Sequence, residues 1–173
     1  MPLYFAYGSN LHVGQMRRRC PTSRPFGAAA MLDHHLSFPR VYSSWDGGVA
    51  GVDPIEGHLV EGALYTLDDS DFPALDDYEC VDEQHYERVR RSFVTMTGES
   101  VEAWVYLAVP EDGGPFVPSV RYLNTMLAGA EYHRLSGDWT MQLRRLLAHH
   151  ERPTMSDSQP WRLSRPIDAH AMP

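Results

Sequence analysis

The chain opens with the stretch MPLYFAYGSNL, which occupies residues 1–11. Residues 3–6 predict a short buried strand, and the run Tyr7-Gly8-Ser9-Asn10 follows this strand without a spacer. Ser9 or Asn10 is predicted to cap a helix over about residues 12–19. Backbone amides at such a helix start lack partners and favour carboxylates or developing oxyanions. Taken alone, however, the four residues favour a structural interpretation, because capped strand-turn-helix junctions are common.

Periodicity and turn residues predict that strands and helices are interleaved along the rest of the chain, which gives a mixed α and β class. The segment from Tyr42 to Gly57 carries many glycine and polar residues and is predicted to be a long loop. Ser70 is predicted to cap a short helix with Pro73 in its first turn, and Gly98 to turn a β-hairpin. The predicted strands span about residues 26–38, 58–67, 86–97 and 101–108, and the predicted helices about residues 71–78, 119–134 and 138–150.

Length and composition predict one folded domain. The 173 residues are 43% hydrophobic, which is enough to build a single core. Capping residues and periodicity both fade near residue 150. Residues 1–150 are therefore predicted to form the domain, and residues 151–173, which include four prolines, to form a C-terminal tail.

Charge and hydropathy exclude several classes of function. A net charge of −8 argues against nucleic-acid phosphates as the main partner, and the run Arg17-Arg18-Arg19 is expected to be a solvated helix face. No apolar run approaches the roughly 20 residues that a membrane span needs. The first residues lack the basic region of a secretory signal, so we expect a cytoplasmic protein. The two cysteines form no CxxC pair, which argues against a disulfide framework.

A second informative stretch is LDDYECV at residues 75–81. Its glutamate, Glu79, lies between a tyrosine and a Cys-Val pair at the predicted end of the short helix. A carboxylate among such neighbours can be desolvated, which raises its pKa and makes it a usable base near neutral pH. Asp76 and Asp77 have polar neighbours and are expected to be solvated or to cap. Any one of the 23 acidic residues is by itself typical of a surface charge, and only its context singles out Glu79.

The third stretch is PSVRYLNTMLAGA at residues 118–130. It predicts an amphipathic helix with a proline before its capping serine. Packing against the core is part of the role of its apolar face, which comprises Tyr122, Leu123, Met126 and Leu127.

Three stretches together resemble the γ-glutamylcyclotransferase family, or AIG2-like family: YFAYGSNL, LDDYECV with a tyrosine seven residues after its glutamate, and PSVRYLNTMLAGA. They occur in the family's order, and the resemblance runs from about Tyr4 to Leu147. It implies an α+β fold, a small mixed β-barrel with flanking helices. It also implies an enzyme that releases 5-oxoproline from a small-molecule γ-glutamyl amine or peptide without any cofactor.

The resemblance also implies roles for individual residues. Glu79 matches the family's catalytic glutamate, the general acid and base. Tyr86 and Tyr122 match tyrosines that line the pocket, and Tyr106 is a weaker candidate. The family commonly has glycine where Cys80 stands, so Cys80 is expected to be strained if its backbone needs a positive φ. The glutamyl-binding loop matches Tyr4, Phe5, Ala6, Tyr7, Gly8, Ser9 and Asn10.

Other polar and aromatic residues have simpler interpretations. His34 and His35, and likewise His149 and His150, are adjacent pairs whose side chains point apart, so we expect no metal site. No G-x-S-x-G pattern surrounds Ser9, which argues against a serine nucleophile. The four tryptophans are scattered and are expected to be packing residues.

Two other functions stay open at the level of sequence. One is a non-catalytic binding module for a small acidic metabolite, although the Glu79 carboxylate would then weaken binding of an anionic ligand. The other is a cyclotransferase for γ-glutamyl-amine crosslinks. The side of the pocket that would receive the leaving group is expected to be built by loops such as residues 42–57.

Overall fold

A computed structural model of the protein describes residues 1–151 and the backbone of residues 165 and 166. The predicted tail at residues 151–173 therefore lies almost wholly outside the described residues. No helix in the described part of the chain is long and apolar enough to cross a membrane. The strands are β1 (Leu3–Ala6), β2 (Arg24–Tyr42), β3 (Gly47–Thr66), β4 (Tyr86–Thr95), β5 (Ser100–Ala108) and β6 (Arg165–Pro166). The helices are α1 (Val13–Arg19), α2 (Phe72–Tyr78), α3 (Val120–Tyr132) and α4 (Gly137–Glu151).

Five of these strands close into a barrel in the order β1-β5-β4-β2-β3, and β3 returns to pair with β1. Strand β1 runs parallel to β5, where Tyr4 pairs with Trp104. The other neighbours in the ring are antiparallel, and the short β6 pairs with β3 at residues 58 and 59. The α+β class and the small mixed barrel implied by the family resemblance are confirmed.

Strands β2 and β3 form a long hairpin where a loop was predicted at residues 42–57. The two strands pair up to their ends, and only residues 43–46 turn the chain. The loop prediction was wrong because glycines in this segment serve close packing. A Cβ atom at Gly48 would lie 2.7 Å from the carbonyl oxygen of Phe116, closer than any side chain could approach.

The helix starts differ from those predicted at two places. Ser9 and Asn10 lie in a 3₁₀ turn, and α1 is instead capped by His12, whose Nδ1 accepts the Gln15 amide at 3.2 Å. Ser70 also lies in a 3₁₀ turn, one residue before the cap position of α2. A single 3₁₀ turn and the first turn of an α-helix favour the same small polar residues, so the sequence pattern did not separate them.

The remaining predicted elements are confirmed to within a few residues. The hairpin of β4 and β5 turns at Gly98, whose φ is +82°. Ser119 caps α3, since its hydroxyl accepts the Tyr122 amide at 3.2 Å. Ser136 caps α4 by accepting the Trp139 amide at 3.1 Å.

Core packing holds the opening turn, which we define as residues 7–11, against the barrel. Tyr65 in β3 donates a hydrogen bond to the Leu11 carbonyl at 3.0 Å. Helix α3 approaches from the other side, and a Cβ atom at Gly129 would lie 2.4 Å from the Leu11 carbonyl carbon. Only glycine therefore allows α3 to lie at its observed distance from the opening turn.

Replacing Gly129 tests this close approach. The added methyl group in Gly129→Ala meets Leu11 backbone that cannot move without disturbing the opening turn. We expect the free energy of unfolding to fall by about 1–3 kcal/mol, although alanine is the better helix former. Gly27→Ala is the matched control, since a Cβ atom there meets nothing within 4 Å. Urea denaturation measures both variants, and equal stability of the two would contradict the packing argument.

Candidate active site

A cavity of about 290 Å³ lies beside the opening turn. Most of the residues expected at the site lie on its wall, whereas Phe5 and Ala6 lie in the barrel. Phe5 stacks on Phe93 with ring centroids 4.2 Å apart, and Ala6 pairs with Ala63 of β3. The wall is formed by Tyr4, Tyr7, Gly8, Ser9, Asn10, Ala50, Glu79, Tyr86, Tyr106 and Tyr122.

The end of α2 places Glu79 on this wall. The Glu79 amide still bonds to the Leu75 carbonyl at 3.0 Å, and the Val81 amide returns to the Asp76 carbonyl at 3.1 Å. Between them Cys80 has a φ of +51°, the left-handed conformation in which helices commonly end. A residue other than glycine costs about 1–2 kcal/mol in that conformation. Cys80 therefore has the positive φ on which the expectation of backbone strain depended.

The Glu79 carboxylate is largely buried, with 13% of its side chain exposed. Its Oε1 accepts hydrogen bonds from Asn10 Nδ2 at 2.8 Å and from Arg19 Nη1 at 3.3 Å. Burial raises the pKa of Glu79 above its ordinary value, and Arg19 and Asn10 lower it by less. Within the described residues Oε2 has no hydrogen-bond partner, so it can accept a proton from a group in the cavity.

The Asn10 side chain has one usable orientation. Its Oδ1 accepts hydrogen bonds from Gln15 Nε2 at 3.1 Å and from Arg19 Nη1 at 2.9 Å. Its Nδ2 then donates to the Tyr4 hydroxyl at 2.9 Å and to Glu79. A reversed amide would set donors against donors, so Gln15 and Arg19 together determine which Asn10 atom meets the carboxylate.

Gln15 and Arg19 are residues that the sequence analysis did not assign to the site. Arg17 and Arg18 are exposed as expected, but the Arg19 side chain is only 15% exposed. Gln15 and Arg19 are four residues apart on α1, so both point to the same side of the helix. That spacing was the available signal, and it was missed because the run of three arginines resembles a solvated face.

The opening turn leaves fewer free amides than the sequence suggested. The Leu11 amide donates to the Gly8 carbonyl at 3.0 Å, and the Ser9 amide lies near the Tyr122 hydroxyl, where it lowers the pKa of Tyr122. Among the hydrogen bonds of the described residues, none uses the amides of Gly8 or Asn10. Gly8 is needed for close approach, because a Cβ atom there would lie 2.9 Å from the Tyr122 hydroxyl.

Two tyrosine hydroxyls keep their protons available for the cavity. The Tyr122 hydroxyl accepts from the Ala50 amide at 2.9 Å, and no acceptor among the described residues takes its own proton. Tyr4 accepts from Asn10 and has no acceptor for its proton within the described residues. Burial raises the pKa of Tyr4 well above its ordinary value and that of Tyr122 to about 12, so both remain donors at neutral pH.

Two other tyrosine hydroxyls have already donated their protons. Tyr7 donates to the Tyr106 carbonyl at 2.7 Å, and Tyr86 donates to the Ala50 carbonyl at 2.7 Å. Each hydroxyl therefore offers only lone pairs to a ligand. The cavity thus has donors on one set of tyrosines and acceptors on another.

Asp76, which was expected to be solvated or to cap, instead binds the Tyr106 hydroxyl. That hydroxyl donates to Asp76 at 2.7 Å, and Arg88 pairs with the same carboxylate at 3.2 Å. The expectation for Asp76 was wrong because the β4–β5 hairpin, which is distant in sequence, supplies both partners. Asp77 is exposed, as expected.

A second cavity of about 350 Å³ continues from the first and shares Ser9, Glu79, Tyr86 and Tyr122 with it. We call it the outer lobe. Trp45 packs against the core, as expected, and also lies on the wall of the outer lobe, because the β2–β3 turn folds over the site. The other wall residues of the outer lobe are Arg19, Tyr42, Val49 and Tyr78.

Among the described residues, no three His, Cys, Asp or Glu side chains lie where they could hold a metal ion. His34 contacts the Leu32 carbonyl, and the adjacent His35 contacts the Asp53 carboxylate, so the two rings have different partners.

The raised pKa of Glu79 makes a prediction about stability. The folded state binds the Glu79 proton more tightly than the unfolded chain, so folding is favoured at low pH and weakened as pH rises through the folded pKa. Glu79→Gln removes this penalty. We expect a higher free energy of unfolding for Glu79→Gln than for the unaltered protein at pH 7, and a smaller difference near pH 4.

Urea denaturation between pH 4 and pH 8 measures this difference. Asp77→Asn is the control, because Asp77 is exposed two residues away. A Glu79→Gln variant less stable than the unaltered protein at pH 7 would mean that Arg19 and Asn10 outweigh burial.

Several known proteins are similar to this chain. A family model described as the AIG2-like family matches residues 59–143. The human protein named gamma-glutamylcyclotransferase is 28% identical over 146 residues, 82% of this chain and 77% of the human one. The mouse protein of that name is 26% identical over 159 residues, 90% of this chain and 84% of its own. A solved structure named gamma-glutamyl cyclotransferase superposes with a TM-score of 0.80 at 25% identity, covering 91% of this chain and 92% of the other. Over most of its length the chain is therefore similar, at low identity, to proteins of the AIG2-like, γ-glutamylcyclotransferase family.

Proposed function

We propose that the protein is a γ-glutamylcyclotransferase, which releases 5-oxoproline from a γ-glutamyl amine or peptide. One observation carries this proposal. The Glu79 carboxylate is buried on the cavity wall, its pKa is raised, and one of its oxygens has no partner within the described residues. A carboxylate in this state is suited to move a proton.

The reaction requires two protons to leave one nitrogen and reach another. The substrate's α-amine attacks the carbonyl carbon of its own side chain, a C–N bond forms, and the original amide C–N bond breaks. The α-ammonium loses two protons as it becomes the lactam nitrogen, and the leaving nitrogen gains two and departs as an ammonium group. Both reacting groups belong to one residue, so holding the folded-up conformer supplies much of the rate advantage.

Glu79 is the base in this proposal. Its Oε2 takes one proton from the α-ammonium before attack and a second from the same nitrogen after attack, and it returns each proton to the leaving nitrogen. The lone pairs of Tyr7 and Tyr86 suit the ammonium group, because both hydroxyl protons are already committed. No cofactor takes part in these steps.

The negative charges of the substrate need donors. The Tyr122 hydroxyl is suited to the carbonyl oxygen, which gains charge during attack, because its proton is not used by the protein. The free amides of Gly8 and Asn10 suit the α-carboxylate. The opening turn then serves as the glutamyl-binding loop.

Glu79→Gln tests catalysis against simple binding. The glutamine keeps the size of the side chain but cannot accept a proton, so we expect turnover to fall by about 10²–10⁴. The assay is release of 5-oxoproline from γ-glutamyl compounds, with calorimetry to measure ligand binding.

The matched control is Asp77→Asn, an equal change of charge at an exposed position, and it should keep full turnover. Near-full activity of Glu79→Gln would overturn the role of the base. Binding without 5-oxoproline from any γ-glutamyl compound would favour the non-catalytic module, and Cys80 would be the first residue to replace.

The dependence of rate on pH gives a further prediction. The base must be ionised, so kcat/KM should rise with pH through the pKa of Glu79, which lies above the ordinary value. Arg19 lowers that pKa. Its removal in Arg19→Gln should therefore move the acidic limb of the pH–rate profile, the part where kcat/KM rises, to higher pH. Arg18→Gln, at an exposed position on the same helix, should leave the limb in place. A limb that moves to lower pH in Arg19→Gln would exclude Glu79 as the titrating group.

A further inference from the structure

The outer lobe has a distinct chemical character. Its wall carries three aromatic side chains that the inner cavity lacks, Tyr42, Trp45 and Tyr78, together with Val49. Its two charged groups, Arg19 and Glu79, face each other as an ion pair at 3.3 Å. The lobe therefore presents aromatic surface with no net charge.

The aromatic rings of the lobe are held in place. Trp45 meets Tyr122 edge to face, with centroids 5.0 Å apart and an interplanar angle of 83°. The Tyr42 hydroxyl lies 3.3 Å from Cys80 Sγ. Rings held in this way keep a slot of constant shape, which favours a flat group over a flexible one.

Two guanidinium groups already stack on these rings. Arg19 lies 4.8 Å from the centroid of Tyr78, and Arg121 lies 4.8 Å from the centroid of Trp45. A cationic ligand would have to compete with these guanidinium groups for the same aromatic faces. The outer lobe therefore disfavours a leaving group with a second ammonium group.

The position of the outer lobe indicates which part of a substrate would bind there. It shares Ser9, Glu79, Tyr86 and Tyr122 with the inner cavity, so a molecule bound across both passes beside the proposed base. When the glutamyl part fills the inner cavity, the amine that leaves must extend into the outer lobe.

We propose that the outer lobe selects γ-glutamyl amides whose amine part carries an uncharged aromatic ring. The proposal rests on the proposed cyclotransferase function and names its substrate class. The amide C–N bond breaks, and the aromatic amine leaves with the two protons that Glu79 returns, so no other reactant is needed. An aromatic amino acid and a simple arylalkylamine would both present this ring, and they differ by one carboxylate.

Five substrates test whether the outer lobe prefers an aromatic amine part and whether that part carries a carboxylate. They are γ-glutamylphenylalanine, γ-glutamylphenethylamide, γ-glutamylalanine, γ-glutamylbutylamide and the γ-glutamyl amide of 1,5-diaminopentane. An aromatic contact is worth a factor of about 2–10 beyond area burial. We expect kcat/KM for each aromatic substrate to exceed that of its aliphatic partner by about 10-fold, with the cationic amide the poorest. The better of the two aromatic substrates identifies the source of the ring.

Trp45→Ala removes one of the aromatic side chains on the wall of the outer lobe. The ratio of aromatic to aliphatic kcat/KM should fall to about 1–3. Tyr78→Ala, at a side chain that is 50% exposed, is a second variant that keeps the test valid if Trp45→Ala does not fold. Tyr132→Ala is the control, because Tyr132 is 53% exposed on α3 and lies on neither cavity wall.

The outcomes distinguish two failures. If 5-oxoproline is released from all five substrates with similar kcat/KM, or if the cationic amide is preferred, the assignment of the outer lobe is overturned while the cyclotransferase survives. An unchanged ratio in both Trp45→Ala and Tyr78→Ala overturns it too. If no substrate yields 5-oxoproline, the proposed function itself fails.

Discussion

Burial of the Glu79 carboxylate is the constraint on which the arrangement of the site depends. A carboxylate withdrawn from water needs hydrogen-bond donors, because an unpaired buried charge is strongly destabilising. Asn10 and Arg19 are the donors, and Gln15 keeps the Asn10 amide in the orientation that donates. Glu79 follows α2 and can be buried only because the opening turn supplies Asn10 and α1 supplies Arg19. The positions of these three segments therefore depend on one another.

The barrel brings these segments together. Strand β1 pairs with β3 on one side and with β5 on the other, so both of its neighbours come from distant parts of the chain. The opening turn leaves the end of β1 and is held between Tyr65 and Gly129 at Leu11. A small displacement of α3 would move the turn, and with it the Asn10 amide that reaches the carboxylate.

Backbone groups determine what the tyrosines of the cavity can do. Carbonyls take the protons of Tyr7 and Tyr86, whereas the Ala50 amide donates to the Tyr122 hydroxyl and leaves its proton available. Chemically identical hydroxyls become acceptors in one case and a donor in the other. Such a wall is complementary to a γ-glutamyl group, which carries an ammonium group, a carboxylate and a polarised carbonyl.

The sequence by itself determined the elements whose signals are local: β1, the β4–β5 hairpin, α3, α4 and the motif around Glu79. Alternation, caps and turn glycines act between near neighbours, so a short window contains them. The barrel came from the family resemblance, and the structure confirmed it. Only the tertiary structure decided that Arg19 turns inward, that Trp45 forms a cavity wall and that residues 47–57 are a strand. Arg19 and Glu79 are 60 residues apart, and the fold alone brings such partners together.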